Sequence, residues 1–375
     1  KCSKLRSLEE EASKNASGLA AASEYEAALE DWQHFHQGVQ PQCRTQSIGE
    51  LLCRDAARLD NVMDSNILTN PWLTSDFAEG LVHNLQDPAV CMDLWNRFAP
   101  QKLRPMLFHW HEYVDDSLVD KILNDTDHPD LYSKLIFNNP PYGAPQIRFR
   151  ERPQGRYRMA TVELVNHARE MLNEINDIVN STTDFAAIKQ IVEFGGGTGQ
   201  LAPIMREILS SIPPTHFIFD FAPMNLLQRY WLAYSGHPSY LGWHLGPEHQ
   251  PLLGKVILEH SIPSIKSHIE TSITKDSLFW ASFSFTEADM ETREQFWPVI
   301  REFGVIFIAY WSVWGLHDST KTSYQNHDYL KQKAEQDLKR SHTVRTWPIS
   351  DRSKAGESEG AKSAYYFLAV RNDFR

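Results

Sequence analysis

The sequence predicts an α/β fold: a seven-stranded, largely parallel sheet closed by an antiparallel hairpin, preceded by a mostly helical N-terminal region. Three observations carry this. After about residue 185, seven short β-rich runs recur with helical stretches between them, and strands alternating with helices make a parallel sheet covered on both faces. The last two runs are joined only by the polar stretch SDRSKAGESEGAK, too poor in apolar residues for a packed helix, so they should pair as a hairpin. Before residue 185 the apolar residues recur at helical spacings instead. The chain accordingly divides into residues 1–185, expected to cover the site and to carry any homo-oligomer contact, and residues 186–375, the sheet domain.

In the helical half, LVDKILND and CMDLWNRF have helical patterns. Val162, Val165, Ala168, Leu172, Ile175 and Val179 are spaced by threes and fours and make one apolar face. Between these segments stands NNPPYG, residues 138–143, and then the basic IRFRERPQGRYR. Pro140 and Pro141 should form a rigid turn. The arginines behind them either line a binding pocket or form a solvated loop. The expected strands are QIVEF (190–194), HFIFDF (216–221), KVILEH (255–260), SLFWASF (277–283), VIFIAYW (305–311), TVRTWPI (343–349) and AYYFLAVR (364–371).

With 375 residues, 42% of them hydrophobic, the chain can bury a sizeable core. Its net charge of −11 argues against long nucleic acid as a partner, because such binding needs clustered Lys and Arg to displace counterions. No apolar run reaches the roughly 20 residues of a membrane span. The segment begins at Lys1 without a methionine, which is compatible with a tag, signal peptide or anchor upstream. Cys2, Cys43, Cys53 and Cys91 show no CxxC spacing. They are expected to be free buried thiols, as in the cytoplasm, the alternative being pairing in a secretory lumen. Sequons at Asn15, Asn124 and Asn180 permit that alternative without deciding it.

The chemistry concentrates at IVEFGGGTGQLAPIMREIL. A strand ends at Phe194, a glycine-rich turn follows, and Leu201, Ile204, Met205, Ile208 and Leu209 mark a helix with one buried face. A ligand can approach the backbone closely at such a turn. A dinucleotide fingerprint would need glycine where Gln200 stands. Read as Glu193-x-Gly195-x-Gly197-x-Gly199, the stretch instead has the acidic GxGxG pattern of S-adenosylmethionine binding. Asp220 ends the next strand 21 residues beyond Gly199, near the offset of about 20 at which an acid reaches ribose hydroxyls. It also suits the N-cap of a following helix.

VEFGGGTGQLAPIM, FIFDFAPMNLLQRYWLA and FWASFSFTEADM resemble, in this order, three blocks of the sugar O-methyltransferase family, over about residues 188 to 310. The resemblance implies a Rossmann-like class I methyltransferase fold, S-adenosylmethionine as donor, and an acceptor hydroxyl on a sugar, glycan or glycosylated small molecule. Carried over position by position, Glu193, Gly195, Gly197 and Gly199 fall on the glycine motif, Asp220 and Gln228 on the second block, and Ser284 and Glu287 on the third; Gln200, directly after the motif, is a further candidate for cofactor contact. Two departures stand out: Phe221-Ala222 replaces Leu-Pro, and Ala288-Asp289 separates Glu287 from Met290. The order of blocks also resembles plant phenolic O-methyltransferases, but the stretch after the fourth strand reads Ser284-Phe285-Thr286-Glu287 and lacks their histidine base.

Asn139-Pro140-Pro141-Tyr142 looks like the tetrapeptide of amino-methyltransferases, which sits at the end of the fourth strand. Here it precedes the first strand of the sheet. A donor-binding partner without catalysis is a further alternative, against which the intact glycine loop and Asp220 argue. Proton acceptors for methyl transfer are sought at carboxyl strand ends: Glu287 after the fourth strand, His317 after the fifth, His260 after the third. Trp311 and Trp314 offer flat faces on that rim. Glu287, Asp289 and Glu291 lie close together, but their spacing suits a helix start, and no metal is assigned.

Overall fold

The structure, a computed structural model, describes residues 116–124, 128–137, 150–157, 159–179, 188–197, 199–209, 213–220, 225, 228–229, 232, 237, 239–242, 254–270, 275–315, 323–349 and 363–374. The tetrapeptide at 139–142, His317, the 350–362 stretch, the four cysteines, Asn15 and Asn180 lie outside these.

The first described elements are α1 (Ser117–Asn124), α2 (Pro129–Phe137), the strands β1 (Arg150–Arg152) and β2 (Gly155–Tyr157), and the long helix α3 (Met159–Val179). The parallel part follows as β3 (Gln190–Phe194), α4 (Leu201–Ile208), β4 (Thr215–Phe219), β5 (Ser239–Leu241), β6 (Val256–Glu259), α5 (Ile262–Glu270) and β7 (Ser277–Ser282). Then come α6 (Ser284–Glu287), α7 (Met290–Ile300), β8 (Val305–Trp311), β9 (Val313–Gly315), β10 (Ser323–Gln325) and α8 (Asn326–Lys333). A short π-helical turn leads into β11 (His342–Pro348) and β12 (Ala364–Arg371).

The main sheet has the order β11-β12-β8-β7-β3-β4-β6-β5. β5, β6, β4, β3, β7 and β8 run parallel, whereas β12 lies antiparallel between β8 and β11. This is the expected Rossmann-like sheet with its terminal hairpin. It has eight strands rather than seven: β5, three residues long, adds to the outer edge beside β6. A run that short shows no periodicity to read.

The parallel strands are buried on both faces, so successive side chains feed two cores. Phe279, Ile306, Ile308 and Tyr310 face Phe296, Trp297 and Ile300 of α7. Leu278, Trp280, Val305 and Phe307 face Ala168, Met171, Leu172 and Ile175 of α3 and Leu201 and Met205 of α4. Helix α3 is therefore packed on the sheet, and α1, α2 and Tyr157 pack on its outer side through Val162 and Val165.

The basic segment before α3 is a hairpin rather than a loop. Arg152 pairs with Asp120 and donates to the Asp116 carbonyl at 2.8 Å, and the Tyr157 hydroxyl donates to Asp116 Oδ1 at 2.6 Å. Arg152 thus fastens the hairpin to α1 instead of lining a pocket, and its partner holds Asp120 below the usual carboxylate range. Among the described residues no helix is long and apolar enough to cross a membrane.

Candidate functional site

The carboxyl ends of β3, β4, β6, β7 and β8 share one edge, and the glycine turn opens there. The Gly195 amide donates to the Phe219 carbonyl at 2.7 Å, and the Gly199 amide to the Gly196 carbonyl at 2.7 Å. Gly195 has φ +72°, and a Cβ there would lie 2.5 Å from Ser284 Oγ and closer still to Ser284 Cβ. Only glycine fits under this serine. Gly197, at φ +54°, is the opposite case: a Cβ would meet nothing within 4 Å. The backbone at Gly197 therefore faces open space, just before the first turn of α4. Gln200 at the N-cap of α4 makes no side-chain cap, which leaves amides of that turn for an incoming group.

Beneath the turn, Glu193 is buried and its Oε2 lies 3.0 Å from Nε2 of buried His216. A Cβ on Gly196 would lie 3.3 Å from Glu193 Cδ, so Glu193 braces the turn from the α4 side of the sheet. Gln200 is turned away from the opening, its Oε1 accepting from the Thr161 hydroxyl of α3 at 3.2 Å.

Gln228 joins the two halves of this cradle. Its Nε2 donates to Asp220 Oδ2 at 2.8 Å and to the Gly197 carbonyl at 3.1 Å. Asp220 is fixed at the end of β4, its amide donating to the Glu259 carbonyl at 2.9 Å and its carbonyl accepting from Asn225 Nδ2 at 3.4 Å. Gln228 Oε1 and Asn225 Oδ1 are buried without a hydrogen-bond partner among the described residues. A buried amide oxygen left unpaired costs about 1–3 kcal/mol, so a donor brought by a ligand is favoured here. The opening at Gly197, the half-buried carboxylate of Asp220 and these acceptors fit a nucleoside carrying ribose hydroxyls and an amine-bearing base, such as S-adenosylmethionine.

On the other side of β3, the Ser284 hydroxyl donates to the Phe194 carbonyl and covers Gly195. Phe283 just before it has φ +68° and ψ −39°, the only non-glycine with positive φ among the described residues. A bulky residue held there stores about 1–3 kcal/mol, a cost concentrated at functional sites. The Phe283 ring lies 5.1 Å from that of Trp311. Ser284 to Glu287 then form the single turn α6, and Asp289, not Glu287, caps α7 by accepting from the Thr292 amide at 2.7 Å.

Arg293 holds this turn. Fully buried, it donates to the Ala288 carbonyl at 2.8 Å, to the Thr286 carbonyl, and to Asn326 Oδ1 at 2.8 Å, with its guanidinium 4.7 Å from the Tyr324 ring centre. Burial pushes its pKa down. The two carbonyls flank Glu287, so Arg293 sets where that half-buried carboxylate stands. Sequence patterning missed Arg293, because its partners come from two different segments.

His260 follows β6, three strands from β7. At about 4.8 Å per strand it is ~14 Å from the Glu287 region, too far to share one acceptor atom. Trp311 ends β8, and Ile349 and Ser363, which border the 350–362 stretch, stand beside it through the Ile349-to-Ala364 and Ser312-to-Ser363 backbone bonds. Among the described residues no three His, Cys, Asp or Glu side chains gather as a metal site.

No family model matches the sequence. No curated protein matches it either. Solved structures do. The methyltransferase domain of bacterial CtHen1-CN is 10% identical with a TM-score of 0.33, covering 55% of this chain and 99% of that one. Magnesium protoporphyrin IX methyltransferase (ChlM) from Synechocystis PCC 6803, with bound SAH, is 9% identical with a TM-score of 0.34, covering 68% and 100%.

Proposed function

We propose that this chain is an S-adenosylmethionine-dependent O-methyltransferase that modifies a hydroxyl of a sugar or glycosylated small molecule. The observation that carries the donor half is the cradle made by open Gly197 and the Gln228 bridge to Asp220. In this reading Asp220 accepts from ribose hydroxyls, and the Gly195–Gly199 turn with the first turn of α4 receives the polar tail. When bound, the donor supplies a methyl group on a sulfonium. The protein's part is to hold an acceptor hydroxyl about 3 Å from that methyl, in line, and to take up the hydroxyl proton.

The acceptor half rests on the resemblance of the third block and on the carboxyl end of β7. The half-buried residues there, Ser282 and Phe283, offer a hydroxyl and an aromatic face. They lack the Asn-Pro-Pro-Tyr tetrapeptide of the amino-methyltransferases considered above. The Phe283–Trp311 pair also suits a flat phenolic ring, which makes a phenol the second reading.

Calorimetry with S-adenosylhomocysteine tests the donor half. Tritiated S-adenosylmethionine offered with methyl α-glucopyranoside, methyl α-rhamnopyranoside, glucosylated flavonol and catechol tests the acceptor half. Label in the glycosides supports the sugar reading, and label in catechol alone moves the assignment to phenols. Binding without label in any of them leaves a donor-binding protein without hydroxyl transfer.

A further inference from the structure

The helix α3 brings a second set of polar groups to the carboxyl end of β7. His167 is 1% and Glu163 5% exposed. His167 Nδ1 lies 3.4 Å from Ser282 Oγ, and His167 Nε2 lies 3.8 Å from Glu163 Oε1, one helical turn away. Ser282 is the last residue of β7, half-buried, and sits just before the strained Phe283.

The hydrogen-bond directions agree with one another. Trp280 Nε1 is a donor only and gives its hydrogen to Ser282 Oγ at 2.9 Å. The serine's own proton is therefore free to point to His167 Nδ1. An imidazole that accepts at Nδ1 carries its hydrogen on Nε2, the nitrogen beside Glu163. The order is carboxylate, imidazole, hydroxyl, with the hydroxyl on the strand end. The ring is also edge-on to Tyr366 of β12 at 5.3 Å and 6.1 Å from the Phe283 ring. Among the described residues the groups that face it include the Ser282 hydroxyl of β7, the Phe283 ring, the Tyr366 ring of β12 and the Glu163 carboxylate from its own helix.

We infer that Ser282, His167 and Glu163 form the proton relay of the transfer, with Ser282 as the group that touches the acceptor and His167 and Glu163 as positioning residues behind it. This rests on the hydroxyl-acceptor reading above. The acceptor O–H passes its proton to Ser282 Oγ while the serine proton moves to His167 Nδ1. The acceptor oxygen's electron pair forms the new O–CH3 bond, and the electrons of the broken C–S bond remain on sulfur. The imidazolium so formed is stabilised by Glu163 and later loses its proton to water. The backbone strain at Phe283 ends β7 so that Ser282 stays in register with Ala309 while the chain turns into α6.

Two readouts test this on the full chain with S-adenosylhomocysteine or S-adenosylmethionine bound. Nitrogen NMR of labelled histidine near neutral pH should show His167 as the Nε2–H tautomer, with an Nδ1 shift that moves in Ser282→Ala. Transfer to the hydroxyl probes named above should rise with pH through the imidazole titration. Ser282→Ala and His167→Gln should lower kcat by roughly 10²–10⁴-fold and flatten that profile, with S-adenosylhomocysteine affinity retained in Ser282→Ala and its melting temperature lowered by the Trp280 indole left without its acceptor. An Nδ1–H tautomer, or an unchanged pH–rate profile in Ser282→Ala, overturns the relay alone. Donor binding with no transfer to any hydroxyl probe overturns the relay together with the hydroxyl reading, and absence of donor binding overturns the donor assignment.

Discussion

Gly195→Ala tests the contact that closes the glycine turn. A methyl group at this position meets Ser284 Cβ and lies 2.5 Å from its Oγ, at φ +72°. The left-handed backbone costs an L-residue about 1–2 kcal/mol. Overpacking against Ser284 adds about 1–3 kcal/mol, so denaturant unfolding should show a loss of roughly 2–5 kcal/mol. The two parts separate in a double-mutant cycle. Ser284→Gly removes the obstruction and leaves Ser284 Cα as the nearest atom at 3.7 Å. The double variant Gly195→Ala/Ser284→Gly should therefore recover the overpacking part, giving a coupling of about 1–3 kcal/mol. Ser284→Ala keeps the offending Cβ and should recover almost nothing. Additive losses, or equal rescue by alanine and glycine at 284, would show that Ser284 does not stand over Gly195.

Gln228→Met should cost about 2–4 kcal/mol of stability, since it removes a hydrogen bond to the Asp220 side chain and one to the Gly197 carbonyl, and it should weaken S-adenosylhomocysteine binding; full affinity by calorimetry contradicts the bridge. Arg293→Lys should lose at least about 2 kcal/mol and slow transfer, because one ammonium cannot serve the fork of three acceptors that Arg293 serves. Glu287→Gln, measured with it, should leave the melting temperature nearly unchanged because Asp289 is the cap; a large loss would make Glu287 structural. Burial, with the Arg206 charge adding to it, pushes the His237 imidazole down to about 4. The unfolded chain takes up this proton near 6.5 and the folded one near 4, so stability is undiminished above ~6.5 and falls as pH drops from there to ~4, by at most about 3 kcal/mol. Urea titrations at pH 7 and 5 should show that loss shrinking in His237→Gln.

The strands were legible because those buried on both faces read as near-continuous β-branched and aromatic runs, as in VIFIAYW and SLFWAS. The glycine turn and Asp220 were legible from spacing alone, and Gln228 through the resemblance. What patterning hides is what distance in the chain hides. Arg293 finds Asn326, and His167 finds Ser282, only after α7, α8, β7 and α3 are packed. Thr161 lies on the apolar stripe of α3 while Glu163 and His167 lie off it, yet all three are buried, Thr161 donating to Gln200 beside the glycine turn. His260 ends a strand in the same way as the residues before Glu287, but the crossover order β7-β3-β4-β6 places it on the opposite wing. The arginines of residues 150–157 read as pocket-lining or solvated because a three-residue strand pairing with a three-residue strand leaves no periodic trace.

The most direct test of the donor site is calorimetric titration of the full chain with S-adenosylhomocysteine, wild type beside Gly197→Arg. The backbone at Gly197 faces space in which a Cβ touches nothing within 4 Å, so an arginine side chain grows into the cradle rather than into the core. The expected result is one site per chain in the wild type and none in the variant, with the unfolding transition of the variant still cooperative. Wild-type protein that is folded and does not bind, or Gly197→Arg that binds as well as wild type, would contradict the assignment of the cradle to this donor.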